Sequence, residues 1–260
     1  MKSIFASPFI MKGSEKVELK YEIENLIQQI IEDSGYGGYY RDVLVGFVSA
    51  HDSGYENLTD IIGHKQVHPT EILPNAQTVI VYFLPFKEEL GKKIQGEKVI
   101  LQEWSDAYTI TNKLLKHIAE KLITWLNTQG YSSRTIPPAN DYQEETLTAQ
   151  WSHKSSAVLA GLGSFGLNRL LVTKYGTTGR LGSVITDAYI EPSEKSNHQY
   201  CLYYQNGTCK ACLNRCPSGA ITERGIDRFR CNAYLVGKNV HLSQQGCPMC
   251  SSGPCAYRGF

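Results

Sequence analysis

All eight cysteines of this 260-residue chain lie in its last 60 residues. In sequence they read Cys201-x7-Cys209-x2-Cys212-x3-Cys216, then Cys231, then Cys247-x2-Cys250-x4-Cys255. Thiolates are strong ligands for zinc and for iron–sulfur clusters, and a C-x2-C pair directs two of them at one ion or cluster. The chemistry that this spacing favours is metal binding.

Four explanations for these cysteines were weighed. Disulfide bonds suit small secreted domains, and residues 1–12 contain no signal peptide that we can identify. Two structural zinc sites would also use eight thiolates, whereas eight unrelated buried cysteines would not crowd into one quarter of a chain. Two [4Fe–4S] clusters explain the pattern best, because the run C-x2-C-x3-C-P is typical of bacterial two-cluster ferredoxins.

The likeness to that ferredoxin run predicts how the ligands are shared. In two-cluster ferredoxins the last cysteine of the run, which precedes a proline, ligates the other cluster. Here residues 202–208 stretch the first spacing from two residues to seven. The first cysteine set is then Cys201, Cys209, Cys212 and Cys255, and the second cysteine set is Cys216, Cys231, Cys247 and Cys250.

The charge of the same segment agrees with anionic clusters. Residues 201–260 contain seven Lys or Arg and two acidic residues, although the whole chain carries a net charge of only +1. Each oxidised four-thiolate cluster carries about −2, which the local cations offset. The alternatives are docking on something anionic or a chance distribution of surface charges.

A second candidate site is the stretch GLGSFG at 161–166. Its spacing matches a dinucleotide-binding fingerprint, but it follows a predicted helix and precedes a predicted strand, the reverse of the required context. Two interpretations stay open. The glycines permit a tight helix-to-strand turn, or they let the backbone approach a large planar ligand because no Cβ intervenes.

Several segments resemble the epoxyqueuosine reductase family, whose cobalamin-dependent members are related to the reductive dehalogenases. The similar segments are AVLAGLGSFGLNRLLVT at 157–173, ILPNAQTVIVYFLPF at 72–86, DRFRCNAYL at 227–235 and GCPMC at 246–250. The resemblance implies an α+β fold with two domains. A nitroreductase-like sheet domain over 1–195 would hold a base-off corrinoid beside the first cluster, and a bacterial two-cluster ferredoxin-like domain would follow over 196–260.

The resemblance also implies site residues. A corrinoid, or a flavin as the weaker alternative, is expected against Gly161, Leu162, Gly163, Ser164, Phe165, Gly166 and Asn168. Tyr108 corresponds to a tyrosine that the family has near the corrinoid; otherwise it is a core residue. Arg180 is expected to hold a polar group of the cofactor or to pair with a surface acid.

The chain departs from the family where the proton donor is expected. The family's aspartate falls at Leu147, and Asp141 lies near it but out of register. We predict His153 as the replacement, because imidazole titrates near neutrality; the alternative is an ordinary surface or core histidine. Leu167 stands where the family has a lysine, and the longer enzymes continue beyond the position of Phe260.

These features predict an epoxyqueuosine reductase-like oxidoreductase that passes electrons through two [4Fe–4S] clusters to a corrinoid and reduces an unknown small molecule. The expected electron donor is a ferredoxin or flavodoxin, nucleic acid is not expected as a partner, and a homodimer is allowed for. The alternative function is a non-catalytic electron-transfer or redox-sensing module without a corrinoid.

The elements that must position these residues follow from periodicity. Apolar residues at helical spacing predict helices over 17–33 and 104–129, and a third helix is expected over about 144–160. Strands rich in β-branched residues are predicted at 43–49, 78–84, 169–173 and 181–187, completing one sheet, with a polar linker at 191–199.

Composition sets the outer limits. Hydrophobic residues make up 42% and charged residues 20% of the chain, which is typical of globular proteins. The longest apolar run, at 78–84, has the length of a strand and is far shorter than the ~20 residues that span a bilayer. We therefore expect a cytoplasmic protein that is not in a membrane.

Overall fold

The structure is a computed structural model that describes residues 13–62, 65–136, 142–143, 145–238 and 246–260. Its helices are, in chain order, α1 Gly13–Asp33, α2 Ser53–Glu56, α3 Leu58–Ile62, α4 Pro69–Ile72, α5 Glu88–Gly96, α6 Gln102–Thr128, α7 His153–Leu159, α8 Leu202–Asn206, α9 Ala211–Arg215 and α10 Arg228–Gly237, with 3-10 turns at Gly37–Tyr39 and Met249–Ser251. Asp141, one of the predicted catalytic residues, lies outside the described residues.

Four of the strands form one sheet, and the other described strands are short. In chain order the strands are β1 Leu44–Ser49, β2 Thr78–Pro85, β3 Ser133–Arg134, β4 Tyr142–Gln143, β5 Thr148–Ala149, β6 Ser164–Phe165, β7 Leu171–Val172, β8 Gly179–Thr186, β9 Ile221–Thr222 and β10 Gly225–Ile226. The sheet has the order β1-β2-β8-β3, and every neighbouring pair in it is antiparallel. The remaining short strands pair as three separate hairpins.

Strand β2 is buried over its whole length because both faces of the sheet are covered. Successive side chains of a strand point to opposite faces. Ile80, Tyr82 and Leu84 therefore pack with α1 and α6 in one core, whereas Val79, Val81 and Phe83 pack with α7 and Trp151 in another. This two-sided burial explains why the strand is apolar without alternation.

Most of the predicted elements are present. The helices predicted at 17–33 and 104–129 correspond to α1 and α6, and the strands predicted at 43–49, 78–84 and 181–187 correspond to β1, β2 and β8. Residues 191–199 form neither helix nor strand, as expected for a linker.

Two predictions near the glycine-rich stretch were wrong. The third helix begins only at His153, because Tyr142–Gln143 pairs with Thr148–Ala149 as two short strands and the Ser152 hydroxyl then caps the helix by accepting from Ser155 N. The strand predicted at 169–173 does not join the sheet. Its residues form β7, which folds back on β6 through a turn in which Asn168 Oδ1 accepts from Leu170 N.

The C-terminal residues are bound to the sheet by backbone hydrogen bonds. Thr177 N donates to Cys255 O at 2.9 Å, and Thr178 N donates to Ala256 O at 3.0 Å. Arg41 Nη1 also donates to Tyr257 O at 2.7 Å. The last cysteine is therefore fixed by residues that directly precede β8. Within the part of the chain that the structure covers, no helix combines the length and the apolarity that a bilayer crossing needs.

The packing of α6 on the sheet predicts the effect of a core truncation. Leu115 is fully buried in the core shared by α1, α6 and β2. We expect Leu115→Ala to lower the free energy of unfolding by about 2–5 kcal/mol, because it leaves a cavity as well as losing apolar contact. Chemical denaturation measures this. The exposed neighbour Lys116→Ala is the control, and equal stability of the two variants would contradict the packing described.

Candidate metal centre and adjoining cavity

The structure brings the eight cysteines together in the two predicted sets of four. Cys255 interacts electrostatically with the other three members of the first cysteine set, Cys201, Cys209 and Cys212. Cys250 interacts in the same way with the other three members of the second cysteine set, Cys216, Cys231 and Cys247. Cysteines that are far apart in the sequence therefore meet in each set. None of the eight described cysteines forms a disulfide bond.

Burial makes these thiols hard to ionise. Burial, with a further contribution from neighbouring cysteines, raises the pKa of Cys212 and of Cys247 to about 11 and that of Cys255 to about 12. The same causes also raise the pKa of Cys250. Thiolates at these positions need a compensating cation, which a bound metal supplies.

Cys216 differs from its neighbours because hydrogen bonds surround its sulfur. Burial alone would raise its pKa, but the Ser218 hydroxyl, 3.3 Å away, and backbone N–H groups of residues 218, 220 and 221 outweigh that effect. The net pKa of Cys216 is lowered. The turn after Pro217 thus provides the donors that stabilise a thiolate.

The spacing of the thiols differs from that of a single-ion site. Four thiolates about 2.3 Å from one zinc ion lie within roughly 4 Å of each other. Within the described ranges, no three His, Cys, Asp or Glu side chains converge closely enough to hold one metal ion.

The glycines at 161 and 163 are required by the chain's own backbone. Gly161 has φ +75°, and a Cβ there would lie 2.3 Å from Glu194 O. A Cβ at Gly163 would lie 2.3 Å from Val172 O. These contacts account for the glycines through the tight-turn interpretation. Ligand binding by residues 161–168 stays a prediction.

Polar side chains of the same segment hold both cysteine sets. Ser164 Oγ donates to Gln199 Oε1 at 2.7 Å, and that amide oxygen accepts from Cys201 N at 3.0 Å. Asn168 Nδ2 donates to Cys250 O at 2.8 Å. One short segment therefore orients a backbone group of each set.

Leu167 lies between the two sets. Its side chain is 1% exposed and belongs to a small core with Cys201 and Cys212 of the first set, against which Cys216 and Cys250 of the second set pack. Phe165 and Leu162 are half-buried on either side of Gly163. An apolar side chain thus separates the two sets at the position where the family resemblance places a lysine.

A cavity of about 360 Å³ adjoins the second cysteine set. Its walls combine that set with side chains from α6, α7 and β8 and with the chain around them, including Trp104, Tyr108, Lys154, Leu170 and Arg180. The family resemblance implied a cofactor cavity beside the first set, lined by residues 161–168. None of residues 161–168 lines the cavity described at the second set, so the expected cofactor cavity at those residues stays a prediction.

Tyr108 and Arg180 form one wall of this cavity. The guanidinium of Arg180 stacks over the Tyr108 ring at 3.9 Å. Its Nε and Nη2 both donate to Asn112 Oδ1, at 3.0 and 2.8 Å. These contacts fix the position of Arg180 from α6, and no acid among the residues that the structure describes forms an ion pair with it.

Lys154 adds a second cation to the cavity. Its side chain lines the cavity, so protein surrounds it while solvent in the cavity still reaches it. Lys154 Nζ donates to Arg169 O at 3.2 Å. Burial, together with repulsion from Arg180, lowers the pKa of Lys154, whereas Cys250 opposes this shift. The described residues that line the cavity include no acid, so the site favours an anionic occupant.

His153 lies behind this wall and does not line the cavity. Its Nδ1 is 2.8 Å from Ser183 Oγ, which also accepts from Trp151 Nε1 at 3.1 Å. Burial, with repulsion from Arg180, lowers the pKa of His153 to about 4. The imidazole is therefore neutral near pH 7, and its role as proton donor stays a prediction.

The sequence reading missed several residues of the site. Lys154 directly follows the predicted His153, and Asn112 lies one helical turn after Tyr108 on α6, so helical spacing could have found Asn112. Gln199 had no signal of its own, because its contact with Ser164 depends on how the linker folds back.

The chain was compared with known proteins. No protein-family model matches it. The epoxyqueuosine reductase of Synechocystis sp. is 30% identical over 184 residues, which are 67% of this chain and 56% of that protein. A solved epoxyqueuosine reductase in complex with an epoxyqueuosine-modified tRNA-Tyr stem loop has a TM-score of 0.58 at 18% identity, covering 92% of this chain and 67% of that one.

The chain belongs to the epoxyqueuosine reductase family. It spans a little over half the length of the first curated relatives that it matches. Its mixed helix-and-sheet fold is also that of the catabolic reductive dehalogenase NpRdhA, with a TM-score of 0.56 at 18% identity over 85% of this chain and 31% of that one. The predicted family membership is therefore confirmed.

The lowered pKa of His153 in this family member predicts a pH dependence. An unfolded histidine titrates near 6.5, so between about pH 6.5 and 4 the unfolded chain binds more protons than the folded one. The free energy of unfolding should therefore decrease as pH is lowered through that window, and His153 should account for at most about 3 kcal/mol of the loss. Denaturation at pH 7 and 4.5 measures it. His153→Gln should reduce the loss, whereas the exposed His117→Gln should not; equal slopes would contradict the assignment.

The hydrogen bond from Asn168 predicts a local effect. We expect Asn168→Ala to lower the free energy of unfolding by about 1–3 kcal/mol, because it leaves Cys250 O without this partner. Hydrogen–deuterium exchange should become faster over residues 247–252 and remain unchanged over 209–215. Asn214→Ala, at an exposed position of α9, is the control. Uniform or absent changes in exchange would exclude the proposed contact.

Proposed function

We propose that this chain is an iron–sulfur reductase with one [4Fe–4S] cluster on each cysteine set. The observation that carries the proposal is the grouping of the cysteines, in which Cys255 joins the first set and Cys216 joins the second. This crossing of ligands is the arrangement of two-cluster ferredoxins. The spacing Cys209-x2-Cys212-x3-Cys216-Pro217 and the N–H donors around Cys216 support clusters over single zinc ions.

We further propose the two-domain architecture that the family resemblance implies. Residues 1–195 would be the nitroreductase-like sheet domain, and residues 196–260 the ferredoxin-like domain. The two-sided sheet of β1, β2, β8 and β3 supports the first assignment. The short helices that lie among the cysteines, α8, α9 and α10, support the second.

The residues of this site suit iron–sulfur clusters better than they suit a corrinoid. Buried cysteines with offsetting cations suit anionic clusters. The described cavity of about 360 Å³ is near the lower limit for drug-sized ligands, about 300–1,000 Å³, and the second cluster would occupy part of it. This cavity is too small for a complete corrinoid.

The cavity residues have roles that do not depend on a corrinoid. Arg180 is fixed by Asn112 and stacks on Tyr108, so it is ordered before any ligand binds. Lys154 and Arg180 would attract an anionic group and exclude cations. Tyr108 lines the same cavity, and its hydroxyl is the proposed proton donor.

The substrate is proposed from the relatives. One structural relative was solved with an epoxyqueuosine-modified tRNA stem loop, which conflicts with the expectation that nucleic acid is not a partner. We therefore include an epoxyqueuosine-containing tRNA beside a small molecule among the proposed substrates. The cationic cavity accepts either a phosphate or a carboxylate.

A second candidate function is an electron-transfer or redox-sensing module without a corrinoid. The volume of the described cavity favours it. In that case the clusters would exchange single electrons with a partner protein, and the cavity would hold only the second cluster and solvent.

Metal analysis tests the clusters. We expect about eight iron and eight sulfide per chain after anaerobic purification. Cys212→Ser and Cys250→Ser should each reduce iron to about four, because each removes one ligand from a different set. The exposed Ser196→Ala is the control. Zinc in place of iron, or loss of all iron in either variant, would contradict the assignment to two sets.

A titration with cobalamin separates the two candidate functions. Under reducing, oxygen-free conditions, a base-off cobalamin spectrum with saturable binding supports the corrinoid reductase. Normal clusters without any spectral change of cobalamin support the electron-transfer module.

A further inference from the structure

Helix α10 exposes a surface with no role in the site described above. Its inner side carries Cys231, Tyr234 and Leu235, which face the cavity at the second cysteine set. On its outer side Phe229 is 60% and Val236 is 64% exposed. Ala233, one turn after Phe229, is exposed between them. Positions i, i+4 and i+7 lie on one face of a helix, so these three residues form a continuous apolar stripe.

Arginines flank this stripe in an unusual place. Arg228 and Arg230 are exposed and occupy the first turn of α10, directly after the cap Asp227, whose carboxylate accepts from Arg230 N at 3.0 Å. A helix N-terminus favours acidic residues and disfavours cations. Among the described residues neither arginine forms an ion pair. Helix stability therefore does not explain these two residues.

We propose that this face of α10 docks a low-potential electron-transfer protein with an acidic surface. An apolar centre with a cationic rim is the pattern of a protein interface, and the rim is complementary in charge to an acidic partner. The proposal rests on the proposed function, since it supplies that function's electrons. The "α10 docking face" comprises Arg228, Phe229, Arg230, Ala233 and Val236.

The position of the face suits electron entry. Cys231 is on the opposite side of the same helix, whose diameter is about 10 Å. The redox centre of a partner docked on the outer side would be separated from the second cluster by about one helix diameter. Each transfer moves one electron, so the donor is oxidised by one electron and the cluster is reduced from the 2+ to the 1+ state. No bond is made or broken.

Stopped-flow reduction of the anaerobic protein by a reduced acidic [2Fe–2S] ferredoxin tests the proposal. At low ionic strength we expect Arg228→Glu/Arg230→Glu to lower the second-order rate constant at least tenfold, because electrostatic steering raises association rates by about 10–10³-fold. Glutamates suit the first turn of a helix, so α10 should remain folded. The wild-type rate should fall steeply with added salt, and the variant's rate should not.

Matched variants separate docking from damage. Phe229→Ser/Val236→Ser should lower the same rate constant at any salt concentration. Lys113→Glu/Lys121→Glu, a charge reversal at exposed positions of α6, should leave it within about twofold of wild type. Photoreduced 5-deazaflavin, a small neutral reductant, should reduce the clusters of all variants equally.

Other outcomes would overturn the proposal. A ferredoxin rate within twofold of wild type in both α10 variants would exclude docking there. If the arginine variant kept that rate but bound a tRNA stem loop more weakly, the face would belong to nucleic acid. If the Phe229/Val236 variant kept the rate but changed the oligomeric state, the face would belong to a second copy. Wild-type protein without reducible clusters would overturn the proposed function and this proposal together.

Discussion

The structure depends on holding eight thiols together inside the protein without leaving their charge uncompensated. Burial and mutual proximity raise the pKa of Cys212, Cys247 and Cys255 well above that of a free thiol. As protonated thiols they would add little to stability, whereas as ligands of the proposed clusters they would be thiolates, and the binding free energy would then contribute to folding. The cations around them, including Lys154 beside Cys250, reduce the remaining charge.

This constraint explains the role of the segment at 161–168. Its glycines let α7 turn closely against residue 194 and β7, and the turn brings Ser164, Leu167 and Asn168 to the junction of the two sets. Ser164 orients Cys201 through Gln199, Asn168 holds Cys250, and Leu167 separates the sets with an apolar side chain. A glycine-rich stretch that resembles a ligand loop thus also supports backbone groups of both cysteine sets.

The sheet domain and the cysteine-bearing segment are mechanically connected. Residues 177 and 178, which directly precede β8, form backbone hydrogen bonds with residues 255 and 256 and so fix the last cysteine. Strand β8 also provides Arg180 to the cavity. Trp104 Nε1 on α6 donates to Gly246 O at 3.2 Å, next to Cys247. Each cysteine set therefore has a short route to the cavity wall: Cys255 of the first set connects to it through β8, and Cys247 of the second set connects to it through Trp104 on α6.

The sequence by itself determined the main elements of the sheet, because helical periodicity and the apolar run of β2 are local signals, and it predicted the two cysteine sets from its likeness to two-cluster ferredoxins. It could not determine that Tyr142–Gln143 pairs with Thr148–Ala149 or that β7 pairs with β6, since short strands depend on hydrogen bonds to partners elsewhere in the fold. Only the tertiary structure decided which residues face the cavity. Lys154 lines it and its neighbour His153 does not, because adjacent residues on a helix point in different directions, and only the packing of α7 on the sheet fixes which of them faces inward.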